Sequence, residues 1–185
     1  MVFLGWKLKC IWFVVIICGV SQGLNVTPNI MQKIKLKAGF GKNLRENVVF
    51  NYFDGVNKKD REQIKSCFDP SGTKIRDVCG VSNTEKQCTP DMLADRCMEF
   101  LAAHPDTVVD FYHGPICNRG RSRWVLAHWY EKGSWSGKSC GLEPDGSPLT
   151  VEGQTRFLVS DELKITEFVV TRTFSEWEKA LQMKS

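Results

Sequence analysis

The pattern of apolar and polar positions divides residues 42–183 into a helical part followed by a strand-rich part. Apolar residues first recur every four positions, which is typical of one face of an amphipathic helix: Leu44, Val48, Tyr52 and Val56. Asp60 and Gln63 have the spacing of a capping box, which predicts a second, short helix. Thr89 followed by Pro90 predicts the start of a third helix.

The remaining segments have the composition of β-strands, with many Val and aromatic residues between turn residues. One strand is predicted before the third helix and four after it: residues 73–79, 107–117, 122–135, 149–159 and 163–174. Residues 80–88 are polar and are predicted to form a loop. Ser175 and Glu178 form a second capping-box pattern, which predicts a short C-terminal helix. Helices first and strands later indicate an α+β fold, with helices covering one face of a curved, mostly antiparallel sheet.

The N-terminal segment resembles a signal peptide. Lys7 and Lys9 precede an apolar run over residues 10–20, and small residues follow it. The run is short for a membrane-spanning helix, which needs about 20 apolar residues. We therefore expect residues 1–23 to be removed, residues 24–41 to form an N-terminal tail, and the protein to be secreted or to stay in the secretory-pathway lumen. An uncleaved membrane anchor remains the alternative.

Charge and hydropathy narrow the range of partners. The formal net charge of +4 decreases by two when Lys7 and Lys9 leave, and charges of both signs alternate along the chain. This distribution lacks the basic stripe expected of a nucleic-acid-binding protein. No later apolar stretch is as long as residues 10–20. We therefore expect no membrane span after signal cleavage.

Six cysteines remain after the signal segment, and an even number in a secreted chain predicts up to three disulfides. The candidates are Cys67, Cys79, Cys88, Cys97, Cys117 and Cys140. The sequence does not choose among the 15 pairings that six cysteines allow. No Cys-x-x-Cys pair occurs, and the three histidines are widely spaced. We therefore predict no metal site.

The order of elements and several local motifs resemble the NTF2-like superfamily, and within it the SnoaL-like group of ketosteroid isomerases and polyketide cyclases. The likeness covers residues 42–183 and includes an aromatic run that closes on an Asn-x-x-Asp turn. The motifs that carry the resemblance are residues 52–60, 68–69 with 75–77, 123–129, 151–157 and 164–167. The resemblance implies a cone, in which a strongly bent sheet wraps around three helices and encloses an apolar cavity.

The resemblance also implies candidate catalytic residues. Tyr52 matches the family tyrosine that donates a hydrogen bond to the substrate oxyanion, and Asp77 matches the aspartate that moves the proton. A carboxylate in an apolar pocket is a stronger base because desolvation raises its pKa. The chain departs from the isomerases at Gly153, where they carry an acid on a central strand. The alternative reading is structural, with Tyr52 packed in the core and Asp77 in a turn.

His113 and His128 are second candidates for acid–base work, because related dehydratases and cyclases use histidine in the cavity. Along residues 122–135, alternation places Trp124, His128 and Tyr130 on one face of the strand and Trp129 on the other. The sequence does not decide which face lines the cavity. The other face is expected to pack against a second subunit, as in homodimers of this fold.

The aromatic residues of the predicted helices and sheet suggest a ligand. A pocket lined by aromatics suits a planar apolar molecule, and the expected ligand-binding residues are Phe53, Trp124, Trp129, Tyr130, Phe157 and Phe168. The sequence therefore predicts a protein that binds a small hydrophobic molecule and isomerises, cyclises or dehydrates it by acid–base chemistry without a cofactor. A non-catalytic carrier or dimerising module on the same fold is the alternative.

Overall fold

The structure, a computed structural model, describes residues 41–78, 85–117 and 122–184. Within them the helices are α1 (Gly41–Lys58), α2 (Arg61–Ser66), α3 (Pro90–Ala103) and α4 (Glu176–Lys184). The strands are β1 (Thr73–Asp77), β2 (Lys86–Cys88), β3 (Val108–Cys117), β4 (Trp124–Ser134), β5 (Pro148–Val159) and β6 (Ile165–Arg172). The predicted signal peptide, and the predicted tail as far as residue 40, lie outside the described residues. No described helix is both long enough and apolar enough to cross a membrane.

The strands form one six-stranded sheet in the order β2-β1-β6-β5-β4-β3. Strands β3 to β6 pair antiparallel with their neighbours in the chain, and β1 joins the far side of β6 in parallel. The predicted α+β class and mostly antiparallel sheet are therefore confirmed. The sequence pattern missed β2, because three residues are too few to show alternation. Lys86 pairs with Ile75 and Cys88 with Thr73, so backbone pairing with β1 forms this edge strand.

Side-chain caps fix the starts of the central helices. The Asp60 carboxylate accepts a hydrogen bond from the Gln63 backbone N–H at 2.9 Å, and the Thr89 hydroxyl accepts one from the N–H of Met92 at 3.2 Å. The Gln63 side chain does not complete the predicted box at Asp60. It donates instead to the backbone carbonyl of Asn51 at 2.9 Å, which ties α2 to α1.

Burial along β4 decides which face of the sheet is covered. Val125, Ala127 and Trp129 are buried in the main core, whereas Leu126 is 45% exposed. We call the face that carries Trp129 the inner face and the face that carries His128 the outer face. The core between the inner face and the helices gathers apolar residues from α1, α2, α3 and every strand from β3 to β6, including Val49, Phe53, Ile64, Leu101, Val109, Val125, Phe157 and Val170.

The structure does not support the predicted disulfides. Cys67, Cys88, Cys97 and Cys140 are free thiols, and no disulfide joins any two of these and Cys117. The Cys67 thiol donates to the carbonyl of Gln63 at 3.3 Å, and the Cys97 sulfur lies 3.7 Å from the hydroxyl of Tyr52. These sulfurs contact other groups rather than one another. Cys79 lies outside the described residues.

Candidate functional site

A cavity of about 570 Å³ lies between the inner face of the sheet and the helices. Its volume is in the range of pockets that hold small organic ligands. Every helix and every strand except α2 and β3 contributes to its lining. The lining residues include Tyr52, Phe53, Asp77, Lys86, Arg96, Cys97, Trp129, Glu131, Phe157, Phe168, Val170, Arg172, Glu178 and Gln182.

Aromatic rings form one wall of the cavity. Phe157 on β5 is surrounded by the rings of Tyr52, Phe53 and Phe168, with centroids 5.9 to 6.0 Å away. These distances are typical of favourable edge and tilted ring contacts. Because the rings of α1 pack against the rings of β5 and β6, the wall is held on both sides and offers an apolar, aromatic surface.

The placement of Trp129 depends on Gly153, its partner in the β4–β5 ladder. A Cβ atom at position 153 would lie 2.8 Å from Cζ2 of Trp129 and 2.7 Å from Cβ of Arg172. Only glycine leaves room for the indole to lie across the neighbouring strand. The indole N–H then donates to the hydroxyl of Thr155 at 2.9 Å. Gly153, the departure from the isomerase pattern, therefore makes space for a wall of the cavity.

Tyr52 extends its phenol from α1 into the polar part of the cavity. Burial raises its pKa well above the ordinary value, and the neighbouring Cys97 raises it further. The pKa of Cys97 is itself raised to about 11, chiefly by burial. Both groups therefore stay protonated at neutral pH, and Tyr52 can serve as a neutral hydrogen-bond donor to a ligand oxygen.

Glu131 is an acidic residue of the cavity lining that the sequence pattern did not identify. Its side chain is partly exposed to the open space of the cavity, yet burial raises its pKa to about 8. Arg172 opposes the shift and Glu178 adds to it. Glu131 also raises the pKa values of Tyr52 and Cys97, so the three groups form one polar cluster. A carboxyl group with this pKa exchanges protons near neutral pH.

A second polar cluster connects the sheet to α4. The Arg172 guanidinium donates to both carboxylate oxygens of Glu178 at 2.8 Å, and to Asp77 at 3.0 and 3.2 Å. Glu178 is 4% exposed, so this bidentate pair is buried. The Asp77 carboxylate lines the cavity but is engaged by a full positive charge.

The structure does not bring the two candidate histidines to this cavity. His113 and His128 lie opposite each other on β3 and β4, on the outer face, with their Nδ1 atoms 3.4 Å apart. Trp124 and Tyr130 also fail to line the cavity. The Tyr130 hydroxyl donates to Asp110 at 3.0 Å. Of the predicted ligand-binding residues, Phe53, Trp129, Phe157 and Phe168 do line it.

A sequence signal for Glu131 was present. Alternation along β4 places Glu131 on the same face as Trp129, two residues earlier. Once Trp129 is known to face the helices, the carboxyl group of Glu131 must face them too. Arg172 and Glu178 had no comparable signal, because their pairing depends on how α4 returns to the sheet.

No protein-family model and no curated protein matches this sequence. Solved structures do match it in fold. A proposed SnoaL-like polyketide cyclase from Jannaschia sp. CCS1 gives a TM-score of 0.58, covering 86% of this chain and 96% of its own, with 14% identity. AclR, a proposed hydroxylase from Streptomyces galilaeus, gives a TM-score of 0.58, covering 75% of this chain and 84% of its own, with 15% identity.

A third similar structure is SalBIII, an epoxide hydrolase/cyclase-like enzyme in pyran ring formation in the polyether salinomycin. It gives a TM-score of 0.55 at 16% identity, covering 70% of this chain and 91% of its own. At such identities the likeness concerns the path of the backbone and not the residues of a site. In fold, the chain is therefore similar to these structures, one of them SnoaL-like, with a mostly antiparallel sheet packed against helices.

Proposed function

We propose that this protein binds a small, planar hydrophobic molecule in the cavity and moves a proton on it without a cofactor. The observation that carries the proposal is the position of Glu131 in the lining of a cavity with an aromatic wall, where burial raises the pKa of its carboxyl group to about 8. General acid–base catalysis is most effective when the pKa of the group lies near the working pH. Similar structures include a proposed polyketide cyclase and a cyclase-like enzyme, which is consistent with an organic ligand of this kind.

In the proposed reaction, the carboxylate form of Glu131 removes a proton from the carbon next to a ligand carbonyl. The electron pair of the broken C–H bond forms the C=C bond of an enolate, and the carbonyl oxygen takes the negative charge. Tyr52 donates a hydrogen bond to that oxygen. Where a C=C bond is conjugated with the enolate, Glu131 returns the proton to the far carbon of that bond, and the double bond moves. Where the ligand has a second carbonyl, the enolate carbon bonds to its carbon, the π pair of that C=O bond moves to the oxygen, and Glu131 gives this oxygen the proton, which closes a ring.

This assignment moves the role of the base from Asp77 to Glu131 and keeps Tyr52 as the donor. Arg172 occupies the Asp77 carboxylate with two hydrogen bonds, whereas no described residue donates a hydrogen bond to the Glu131 carboxyl. Asp77 is then a positioning residue that holds Arg172.

The test is exchange of the α-protons of 2-tetralone, an apolar ketone fused to a benzene ring, with deuterium, followed by NMR. The wild-type protein should accelerate exchange, and the rate should rise with pH through about 8 as Glu131 ionises. Glu131→Gln should reduce the rate about 100-fold or more, since general acid–base groups contribute about 10²- to 10⁴-fold. Asp77→Asn should keep most of the rate.

The matched control is Glu152→Gln, because Glu152 lies on the outer face beside Tyr112. A full rate in Glu131→Gln would refute the assignment.

A non-catalytic carrier is the second candidate function. The buried Arg172–Glu178 pair and the aromatic wall shape a binding site that needs no chemistry. The same experiment distinguishes the two functions. A carrier should bind 2-tetralone, seen as quenching of tryptophan fluorescence, while exchange stays at the uncatalysed rate.

Secretion and self-association are further parts of the proposal. The signal-like residues 1–23 support export, and N-terminal sequencing of protein collected from the medium should then begin at residue 24.

The outer face exposes Tyr112, Ile116 and Leu126, which supports a homodimer through the sheet. Light scattering coupled to size-exclusion chromatography should give twice the monomer mass, and a monomer would reject the dimer.

A further inference from the structure

The mouth of the cavity has a distinct charge. Among the residues that line the cavity, those with exposed side chains are Lys86 on β2, Arg96 on α3 and Gln182 on α4. The other lining residues are buried or partly exposed, so these three mark where the cavity meets solvent. Two of them are cations and none is an acid.

The cations at the mouth are poorly compensated by the protein. Lys86 makes no ion pair with an acid among the described residues. Arg96 lies 3.3 Å from Glu99, and both side chains are about half exposed, so their attraction is weak. In contrast, Arg172 inside the cavity is matched by Asp77 and Glu178. The positive charge that acidic residues of the protein do not balance, and that a ligand can therefore use, lies at the mouth of the cavity and not in its interior.

Arg96 is also held in place. Its guanidinium lies over the ring of Trp177, 5.1 Å from the ring centroid, and Trp177 is completely buried. This cation–π contact favours one orientation of the half-exposed Arg96 side chain beside the opening. A guanidinium in this position is suited to binding a carboxylate with two hydrogen bonds.

We propose that the ligand is an amphipathic organic anion, with a planar apolar body against the aromatic wall and an anionic end between Lys86 and Arg96. This inference rests on the proposed binding function and adds the class of ligand. A molecule of this kind satisfies both ends of the site, since the interior offers the aromatic wall and the neutral Tyr52 donor and the mouth offers positive charge. A neutral ligand of the same shape would leave the cations unmatched.

The test uses two fluorescent probes that share a planar body and differ in one end group, 1-pyrenebutyrate and 1-pyrenebutanol. Wild type should bind the acid about tenfold more tightly than the alcohol, and the difference should shrink as salt is raised to 1 M. The double variant Lys86→Gln/Arg96→Gln should lose that preference and bind the acid and the alcohol about equally. Circular dichroism and cooperative thermal unfolding show whether the variant is folded.

Lys74→Gln is the matched control, because Lys74 is an exposed lysine on the neighbouring strand β1 that pairs with Glu85 and does not line the cavity. It should keep the preference for the acid. If wild type binds both probes equally, or if Lys74→Gln loses the preference as the double variant does, the inference is wrong while the binding function stands. If neither probe binds, both the inference and the proposed binding function are overturned.

Discussion

At the scale of single residues, Glu131 links the stability of the fold to pH in a definite direction. Its pKa is about 8 in the folded protein and about 4.5 without the fold. Between these values the folded protein keeps a proton that the unfolded chain releases. The contribution of Glu131 is therefore fully present below pH 4.5, decreases by about 1.4 kcal/mol per pH unit across the window, and is lost above pH 8.

Urea unfolding at pH 5 to 9 measures this effect. The free energy of unfolding of wild type should fall relative to that of Glu131→Gln as pH rises through the window, because glutamine does not titrate. Parallel curves for wild type and Glu131→Gln would show that the Glu131 pKa is not raised.

Gly153 gives a second prediction at this scale. An added methyl group in Gly153→Ala would crowd Trp129 and Arg172, and overpacking of this kind costs about 1–3 kcal/mol. Gly114→Ala on β3 is the matched control, since a Cβ there would meet Phe50 at an ordinary contact distance of 3.4 Å. Thermal unfolding should show a clear loss for Gly153→Ala and little change for Gly114→Ala. Equal losses would contradict the packing argument.

The residues of the site differ in how far the sequence could predict them. Tyr52 and Phe53 were predicted from the helical period and the family motif, and both line the cavity. Glu131 follows from alternation only after the covered face is known. The pairing of Arg172 with Asp77 and Glu178 joins residues far apart in the chain, and no local pattern carries that information.

At the scale of elements, α4 depends on its buried ion pair. Glu178 pairs with Arg172 and also accepts a hydrogen bond from the Ser175 backbone N–H at 3.2 Å, while the Ser175 hydroxyl accepts one from the Glu178 backbone N–H at 3.2 Å. This reciprocal pattern confirms the predicted capping box. Trp177 packs in a separate apolar cluster with Trp135, so two kinds of contact hold the helix on the domain.

Glu178→Gln should destabilise the domain by about 3–5 kcal/mol, because it leaves Arg172 partly unpaired in a buried position. The control is Glu176→Gln in the same helix, whose carboxylate is half exposed and pairs with Lys179. That change should cost less than about 1 kcal/mol. Chemical denaturation measures both variants, and similar small costs would show that the buried pair does not anchor α4.

The sequence predicted an element correctly where its hydrophobic repeat continues over many residues or where a specific N-cap residue marks its start. The helix starts at Asp60 and Thr89 and the four later strands were predicted within a few residues. β2 was missed because it exists through its pairing with β1 and not through its own composition. The faces of β4 were left open because both carry large apolar groups, and only the packing of the helices distinguishes them.

At the scale of the whole molecule, the fold is predictable from the order of elements, but the cavity is not. The same aromatic side chains could fill the cone, and the open space of about 570 Å³ depends on how they pack. The predicted disulfides show the same limit, because cysteine parity does not place sulfurs near one another. The packing of the aromatic side chains and the distances between the cysteine sulfurs are visible only in the structure.

We expect the cavity of about 570 Å³ to bind one small planar molecule. The most direct test is calorimetric titration of 2-naphthol, a planar analogue of an enol, into wild type, Val170→Phe and Leu126→Phe. Val170 lines the cavity and Leu126 lies on the outer face. We predict one bound molecule per chain for wild type and Leu126→Phe, and loss of binding for Val170→Phe. Absence of binding to wild type, or equal binding to folded Val170→Phe, would contradict the claim.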